Sequence, residues 1–208
     1  MNTPSLKVVV AITSPIAFHK LKNKTVLQTC LETSRAFVSS YGSSAHLAIA
    51  GTEESLAQVL HLDCEKIQCD PNNPQEFAQS LRSAQPTDLV MIHDSQRALT
   101  KVSQFDRVLK ALSASIDAIR PVSAFTETLK SINAGQFVDG TIDRNSMKRV
   151  STPELIRCST IDFTGVESTW FVPIMAGAQI STVEADAESA RINSEKELEL
   201  MKHLLELN

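Results

Sequence analysis

LVMIHDSQRALT, residues 89–100, is the stretch whose reading decides the fold. Its first four residues, Leu89 to Ile92, form a short apolar run led in by the turn-like Gln85-Pro86-Thr87-Asp88. A run of that length bounded by turn residues fits an interior strand of a parallel sheet. The chain then switches to His93, Asp94 and, three residues on, Arg97. Asp94 could cap a helix beginning near Val102, but Thr100 or Ser103 is better placed for that role. In open α/β sheets ligands gather outside the carboxyl ends of the strands, and Asp94 and Arg97 fall at such an end.

Working outward, the same rhythm repeats on both sides. Leu6 to Ile12 is a strand by its β-branched content, and Thr25 to Val38 has helical spacing at Val26, Leu27, Cys30, Leu31 and Phe37. His46 to Ala50 reads as a strand, Glu53 to His61 as a helix, Lys66 to Gln68 as a strand, and Pro74 to Ala84 as a helix with proline in its first turn. Val102 to Ala114 is a helix and Asp117 to Val122 a strand. This alternation predicts an α/β, Rossmann-like fold of about seven strands, mostly parallel, with helices on both faces and right-handed crossovers. Residues 1–208 are expected to form a single domain.

After Val122 the rhythm breaks. Thr126 to Val138 alternates around a turn at Asn133-Ala134-Gly135, a hairpin signal, so residues 124–152 are expected to leave the sheet as a β-arm. An apolar hairpin is marginal alone, and Phe137, Val138 and Ile142 point to a homodimer joined through the arm. A short helix is predicted around 166–176, a strand at Gln179 to Glu184, and an amphipathic helix from Ser194 to Leu207 with Leu198, Met201, Leu204 and Leu205 on one face.

Composition narrows the function classes. Of 208 residues 42% are hydrophobic and 21% charged, and the net charge of -4 gives no electrostatic case for nucleic acid. Met1 to Lys7 lacks a cationic start followed by an apolar core, and no apolar run approaches the ~20 residues of a membrane span, so a cytoplasmic protein without membrane contact is expected. Cys30, Cys64, Cys69 and Cys158 have no CxxC or metal-ligand spacing and read as reduced packing residues.

Ile92-His93-Asp94-Ser95-Gln96-Arg97-Ala98 resembles the valine-histidine-aspartate-alanine-alanine-arginine-proline motif of the 2-C-methyl-D-erythritol 4-phosphate cytidylyltransferases, enzymes of the non-mevalonate isoprenoid pathway. Thr126-Glu127-Thr128-Leu129-Lys130 is similar to the family's threonine-aspartate-threonine-isoleucine-lysine segment. Thr141-Ile142-Asp143-Arg144 and Ser151-Thr152-Pro153-Glu154 are similar to its threonine-x-aspartate-arginine and threonine-proline-glutamine pair, and Ala190-Arg191-Ile192-Asn193 to its isoleucine-lysine-valine-threonine. The resemblance implies that Asp94 ligates Mg²⁺ or holds a sugar hydroxyl and that Arg97 binds the sugar phosphate region. It implies also that Thr128 and Arg144 reach the site of a partner protomer, and that Arg191 keeps a lysine's charge without its point-like geometry.

The start of the chain departs from the family. Pro15-Ile16-Ala17-Phe18 puts Ile16 where the family has a lysine on the triphosphate, and Thr13-Ser14 replaces a glycine-rich loop carrying an arginine. Glycines let backbone N–H groups close around phosphates, and basic side chains stabilise the charge that develops there. Cys69 to Glu76 likewise replaces the segment that holds base and ribose, with Glu76 in place of its serine. CTP binding and transfer are therefore expected to be weak or lost, with a phosphosugar such as methylerythritol phosphate still bound. Two other readings stand beside this one: an active nucleotidyltransferase using Mg²⁺ in which Lys20, Lys22 or a rebuilt loop serves the phosphates, and a structural or regulatory dimer without catalysis.

Overall fold

The computed structural model describes residues 3–84, 86–166 and 171–206. In chain order the strands are β1 (Leu6–Ala11), β2 (Lys20–Leu21), β3 (Lys24–Thr25), β4 (Ala45–Gly51), β5 (Glu65–Gln68), β6 (Leu89–Asp94), β7 (Ala118–Ala124), β8 (Leu129–Ile132), β9 (Val138–Ile142), β10 (Lys148–Val150), β11 (Glu154–Arg157) and β12 (Ile180–Glu184). The helices are α1 (Val26–Tyr41), α2 (Glu53–Ala57), α3 (Pro74–Ser83), α4 (Val102–Ala111) and α5 (Glu195–Glu206).

Eight strands form the main sheet, in the order β10-β7-β11-β6-β1-β4-β5 with β12 also on β7. β4 and β6 flank β1 in parallel fashion, β5 is parallel to β4, and β12 is parallel to β7. β10 and β11 are antiparallel to their neighbours. Both pair with β7, Val150 against Val122 and Leu155 against Ile119, so they follow one another along the same edge of that strand.

Side chains alternate between two cores because successive residues of a strand face opposite ways. Leu6, Val8 and Val10 of β1 meet Leu27, Leu31 and Phe37 of α1 and Phe105 and Val108 of α4. Val9 and Ala11, with Val90 and Ile92 of β6, face Phe77 and Ala78 of α3 together with Ile161, Phe171 and Val172. The sheet is thus covered on both faces, as its unbroken apolar strands required. α1 opens on a capping box, Thr25 with Gln28, and stops at Gly42, whose φ of 100° suits a residue without Cβ.

Four expectations need correction. The main sheet has eight strands because β10 and β11, absent from the sequence reading, are completed by pairing with β6 and β7. The helix expected around 166–176 is not formed over 171–176; there Ile174 bridges Ile161, and Asp162 N–H donates to the Pro173 carbonyl at 2.9 Å. Positions 167–170 lie outside the described residues, as does Leu207 of the last helix. Neither Thr100 nor Ser103 caps α4. Lys101 occupies the cap without a side-chain bond, and the Thr100 hydroxyl donates instead to the Arg97 carbonyl at 2.9 Å. On α5, Leu198 is buried and Met201 and Leu205 pack beside it, but Leu204 is half exposed.

β8 and β9 make a separate two-stranded sheet, with Leu129 opposite Ile142 and the turn over Asn133 to Phe137. Ile132, Phe137 and Val138 are all more than half exposed on this hairpin. Among the described residues no helix is long and apolar enough to cross a membrane.

Candidate functional site

Asp94 is the last residue of β6 and lies beside Ala11, the last residue of β1. It is buried at 1% exposure, yet both carboxylate oxygens have partners. Oδ1 accepts from the Gln96 backbone N–H at 3.0 Å and lies 3.1 Å from the Thr13 hydroxyl, whose other acceptor is Gln96 Oε1 at 2.9 Å. Oδ2 accepts from Arg191 Nε at 2.6 Å. The same guanidinium donates through Nη2 to Thr13 Oγ1 and Gln96 Oε1 and through Nη1 to Asn193 Oδ1.

Arg191 is delivered by the segment between β12 and α5, which Gln96 clamps. Ile192 N–H donates to the Gln96 carbonyl at 3.0 Å, and the Gln96 side-chain amide donates back to the Ile192 carbonyl. The Arg191–Asp94 pair is a charge-assisted contact with a fork donor, worth roughly 1.5–3 kcal/mol. His93, just before Asp94, points to the other face, where its ring meets Phe105 edge-on at 5.0 Å and Nδ1 lies 2.8 Å from the Thr152 hydroxyl. Burial, partly opposed by Asp94, pushes its pKa down to about 3, so this histidine is neutral over the physiological range. The Thr152 hydroxyl also accepts the Asp94 backbone N–H at 3.1 Å, fixing the strand end from below.

Arg97 is 6% exposed and committed to backbone carbonyls: Nη1 donates to Ser189 at 2.7 Å and Nη2 to Val150 at 3.3 Å. Burial pushes its pKa below the usual arginine value, with Asp94 opposing and the nearby Arg191 and Arg149 adding to the effect. Thr128 and Arg144 lie exposed on the arm, where Arg144 Nη1 donates to the Thr126 carbonyl at 2.6 Å. Of the five residues singled out in the sequence, the fold therefore brings together Asp94, Arg97 and Arg191. Thr128 and Arg144 have no hydrogen bond to that cluster within the chain, among the described residues. Thr13, Gln96, Thr152 and Asn193 were missed as participants. Gln96 sits between Asp94 and Arg97 in the opening stretch, and Thr13 is the first polar residue after β1, which were the available signals.

Apart from the Thr13 hydroxyl, the first loop is engaged with its own turn and with the loop before α3. The Ser14 hydroxyl accepts from Ile16 N–H at 3.3 Å, the Thr13 carbonyl accepts from the Asn72 amide at 3.1 Å, and Ile16 packs toward Leu21 and Ile192. Glu76 Oε1 accepts from Asp70 N–H at 2.9 Å and so closes the loop into α3. Lys20 faces a groove shared with Glu195, Leu198 and Glu199 of α5, and Lys22 Nζ donates to the Leu205 carbonyl.

Two recesses flank the Asp94 cluster. One of about 300 Å³ is lined by Thr13, Pro71, Asn72, Asp94, Phe171 and Arg191. The other, about 570 Å³, runs from the foot of the arm past Arg97, Arg149 and Ser189 to Arg191 and Met201. Mg²⁺ wants oxygen ligands in octahedral order, usually one or two carboxylates with substrate phosphates completing the shell. Here Asp94 is the carboxylate lining the smaller recess, both its oxygens are engaged, and a guanidinium stands against it. No group of three or more His, Cys, Asp or Glu able to hold a metal stands together among the described residues. The residues present do not fit a preformed magnesium site.

Residues 10–170 match the family model described as 2-C-methyl-D-erythritol 4-phosphate cytidylyltransferase. The chain belongs to this cytidylyltransferase family. A cytidylyltransferase of that name from Rhodococcus jostii (strain RHA1) is 36% identical over 74 residues, which is 36% of this chain and 33% of the relative. One from Nocardia farcinica (strain IFM 10152) is 29% identical over 132 residues, covering 61% of this chain and 57% of the relative. The matched stretch thus spans between a third and somewhat over half of these curated relatives. Among solved structures, 4-diphosphocytidyl-2C-methyl-D-erythritol synthase from Anaerococcus prevotii DSM 20548 superposes with a TM-score of 0.80 at 13% identity, over 98% of this chain and 99% of that one. The 2-C-methyl-D-erythritol 4-phosphate cytidylyltransferase from Thermus thermophilus superposes with a TM-score of 0.73 at 19% identity, over 98% and 100%. At those identities the likeness speaks for the fold.

Proposed function

We propose that this member of the cytidylyltransferase family binds a phosphosugar such as methylerythritol phosphate and transfers cytidylate from CTP weakly or not at all. The observation that carries the reading is the Arg191–Asp94 pair, set beside a first loop of two polar residues. Nucleotidyl transfer is mostly positioning and electrostatics, so a site without a phosphate cradle has little else to supply. Arg191 is about one-third exposed toward the smaller recess, and after its bonds to Asn193, Thr13 and Gln96 one Nη1 hydrogen is left to offer a phosphate. Its withdrawal toward that phosphate would free Asp94 to accept a sugar hydroxyl.

The site as read is completed by a second copy of the chain. Thr128 and Arg144 lie on an exposed arm whose Ile132, Phe137 and Val138 a lone chain leaves in water, and a homodimer would cover them. Arg144 then supplies the second cation for the phosphate. No observation favours Lys20 or Lys22 as replacement phosphate ligands, since both face α5. Titration calorimetry with CTP and, separately, with methylerythritol phosphate tests the reading. Saturable binding of the phosphosugar alone is the expected result. Micromolar CTP affinity with turnover would overturn the reading, and binding of neither compound would leave the arm-joined dimer as the better account.

A further inference from the structure

The larger recess holds more positive charge than the phosphate read above needs. Three arginines line it, Arg97, Arg149 and Arg191, with Asp186 and Glu197 as its carboxylates. Both carboxylates serve other donors: Asp186 Oδ1 accepts from Arg107 Nη1 at 3.1 Å, and Glu197 accepts the Asn193 backbone N–H. Arg191 has Asp94. Arg97 ends on the Ser189 and Val150 carbonyls, its buried Nε has no hydrogen-bond partner, and among the described residues neither it nor Arg149 forms an ion pair. Val150 directly follows Arg149 and Ser189 shortly precedes Arg191, so the Arg97 guanidinium lies between the other two arginines. Burial lowers the Arg97 pKa, Asp94 opposes the drop, and Arg191 and Arg149 add to it, so both neighbours stand close enough to repel it.

Arg149 lies on β10 opposite Ser123 of β7, which lines the same recess. Its guanidinium carbon stands 5.3 Å from the centroid of the half-buried Phe125 ring. An exposed arginine is ordinarily a solvated charge. Here the stack holds a flexible side chain in place and leaves the edge of the planar fork free to donate, and the like charge of Arg97 beside it is relieved only by an anion. We propose that Arg149 determines specificity: held by Phe125, it gives the larger recess a seat for a second anionic group, so that the ligand is a phosphosugar with a phosphate at Arg191 and a further phosphate or a carboxylate at Arg149. This deepens the function proposed above and rests on it for the phosphate at Arg191.

The experiment is calorimetry of the full chain with three four-carbon probes: methylerythritol phosphate, erythritol bisphosphate with a phosphate at each end, and phosphoerythronate with a carboxylate in place of one phosphate. The readout is the ratio of affinities, doubly anionic probe over methylerythritol phosphate. Wild type should favour at least one doubly anionic probe about tenfold, and the tighter of the two names the second group as phosphate or carboxylate. Arg149→Gln should bring the ratio close to one, and Phe125→Leu should lower it about threefold by releasing the guanidinium. Lys148→Gln removes the same charge from the neighbouring position, on the other face of β10, and should keep the ratio. A ratio near one in wild type overturns the proposal and leaves the function proposed above standing. Equal falls in Arg149→Gln and Lys148→Gln also overturn it, since they mark a general field instead of a seat, as does an unchanged ratio with weakened self-association in Arg149→Gln, which gives the residue to the dimer. Binding of a doubly anionic probe alone, lost in Arg149→Gln, supports the seat while methylerythritol phosphate fails as the ligand. Binding of no probe overturns both.

Discussion

β1 and β6 run side by side, with Ala11 paired to Asp94, and yet the loops that leave them are opposites. The loop after β1 spends Ser14 on its own turn and the Thr13 carbonyl on Asn72, and then buries an apolar flank through Ile16; only its Thr13 hydroxyl reaches across to Asp94. The loop after β6 is tied to three distant parts of the chain: Thr13, the arm's returning strand, and the segment carrying Arg191. In one sheet, at one end, a short turn of two polar residues stands next to a carboxylate with a dense set of partners. Neighbouring strand ends share a fold requirement, namely burial of the strands themselves. The loops beyond them differ in what they are tied to, although both place a residue in a core cluster, Ala17 after β1 and Ala98 after β6.

The comparison breaks most directly on CTP. Loss of one preorganised donor costs about 3 kcal/mol of transition-state stabilisation, so cytidylate transfer should be at least about 100-fold slower than in a family member with a glycine-rich first loop. Turnover assays with CTP and methylerythritol phosphate check this, and comparable rates would mean that the two loops are equally competent. Next is His93, which belongs to the well-tied side. Its folded pKa is depressed by burial from 6.5 to about 3, whereas the unfolded chain takes up the proton near 6.5. The stability from neutral His93 is therefore complete above pH 6.5 and is lost as pH falls toward 3, at about 1.4 kcal/mol per pH unit from this group. In urea titrations at pH 7, 6 and 5, His93→Asn should be less stable than wild type at pH 7 and show the shallower decline.

Arg191→Ala leaves the Asp94 carboxylate with neutral donors alone. Breaking a fully buried pair costs roughly 3–5 kcal/mol, and with Arg191 one-third exposed a loss of about 2 kcal/mol is expected by thermal or urea unfolding. A loss below about 0.5 kcal/mol would place the pair among ordinary surface contacts. Arg144→Ala should weaken methylerythritol phosphate binding by about tenfold, or ~1.4 kcal/mol, with unfolding unchanged, because the arm lies outside the core. The smallest effect is the sharpest control: Lys20→Ala, on the α5 side, should change neither CTP nor phosphosugar affinity by more than about twofold.

How much of this was legible depended on whether a residue's role is local. β6 and β1 were readable because interior parallel strands are apolar throughout, and α1 because its apolar spacing and Thr25 cap are written in adjacent residues. The strands Lys148–Val150 and Glu154–Arg157 were not, since charged residues and the Ser151-Thr152-Pro153 interruption leave no apolar run. In particular, Glu154 is tolerated in the core only because Arg120, on the neighbouring strand, pairs with it. Burial raises the Glu154 pKa and Arg120 opposes that rise, a balance invisible from either residue alone. Likewise the helix expected near 166–176 failed over its described part, where Phe171 and Val172 are drawn into the core beside α3.

The sequence by itself determined the alternation of strands and helices, the departure of the arm after Val122, the placing of Asp94 and Arg97 at a strand end, and the absence of glycines from the first loop. Each rests on the period, length or composition of a continuous stretch. Only the tertiary structure decided that Arg191 lies on Asp94, that Gln96 and Thr13 complete its partners, and that Arg97 spends its guanidinium on two backbone carbonyls. Those contacts of the two arginines join residues from 53 to 178 positions apart. Their geometry is set by how β10, β12 and the last turn before α5 pack against β6 and β7, and no local pattern encodes it.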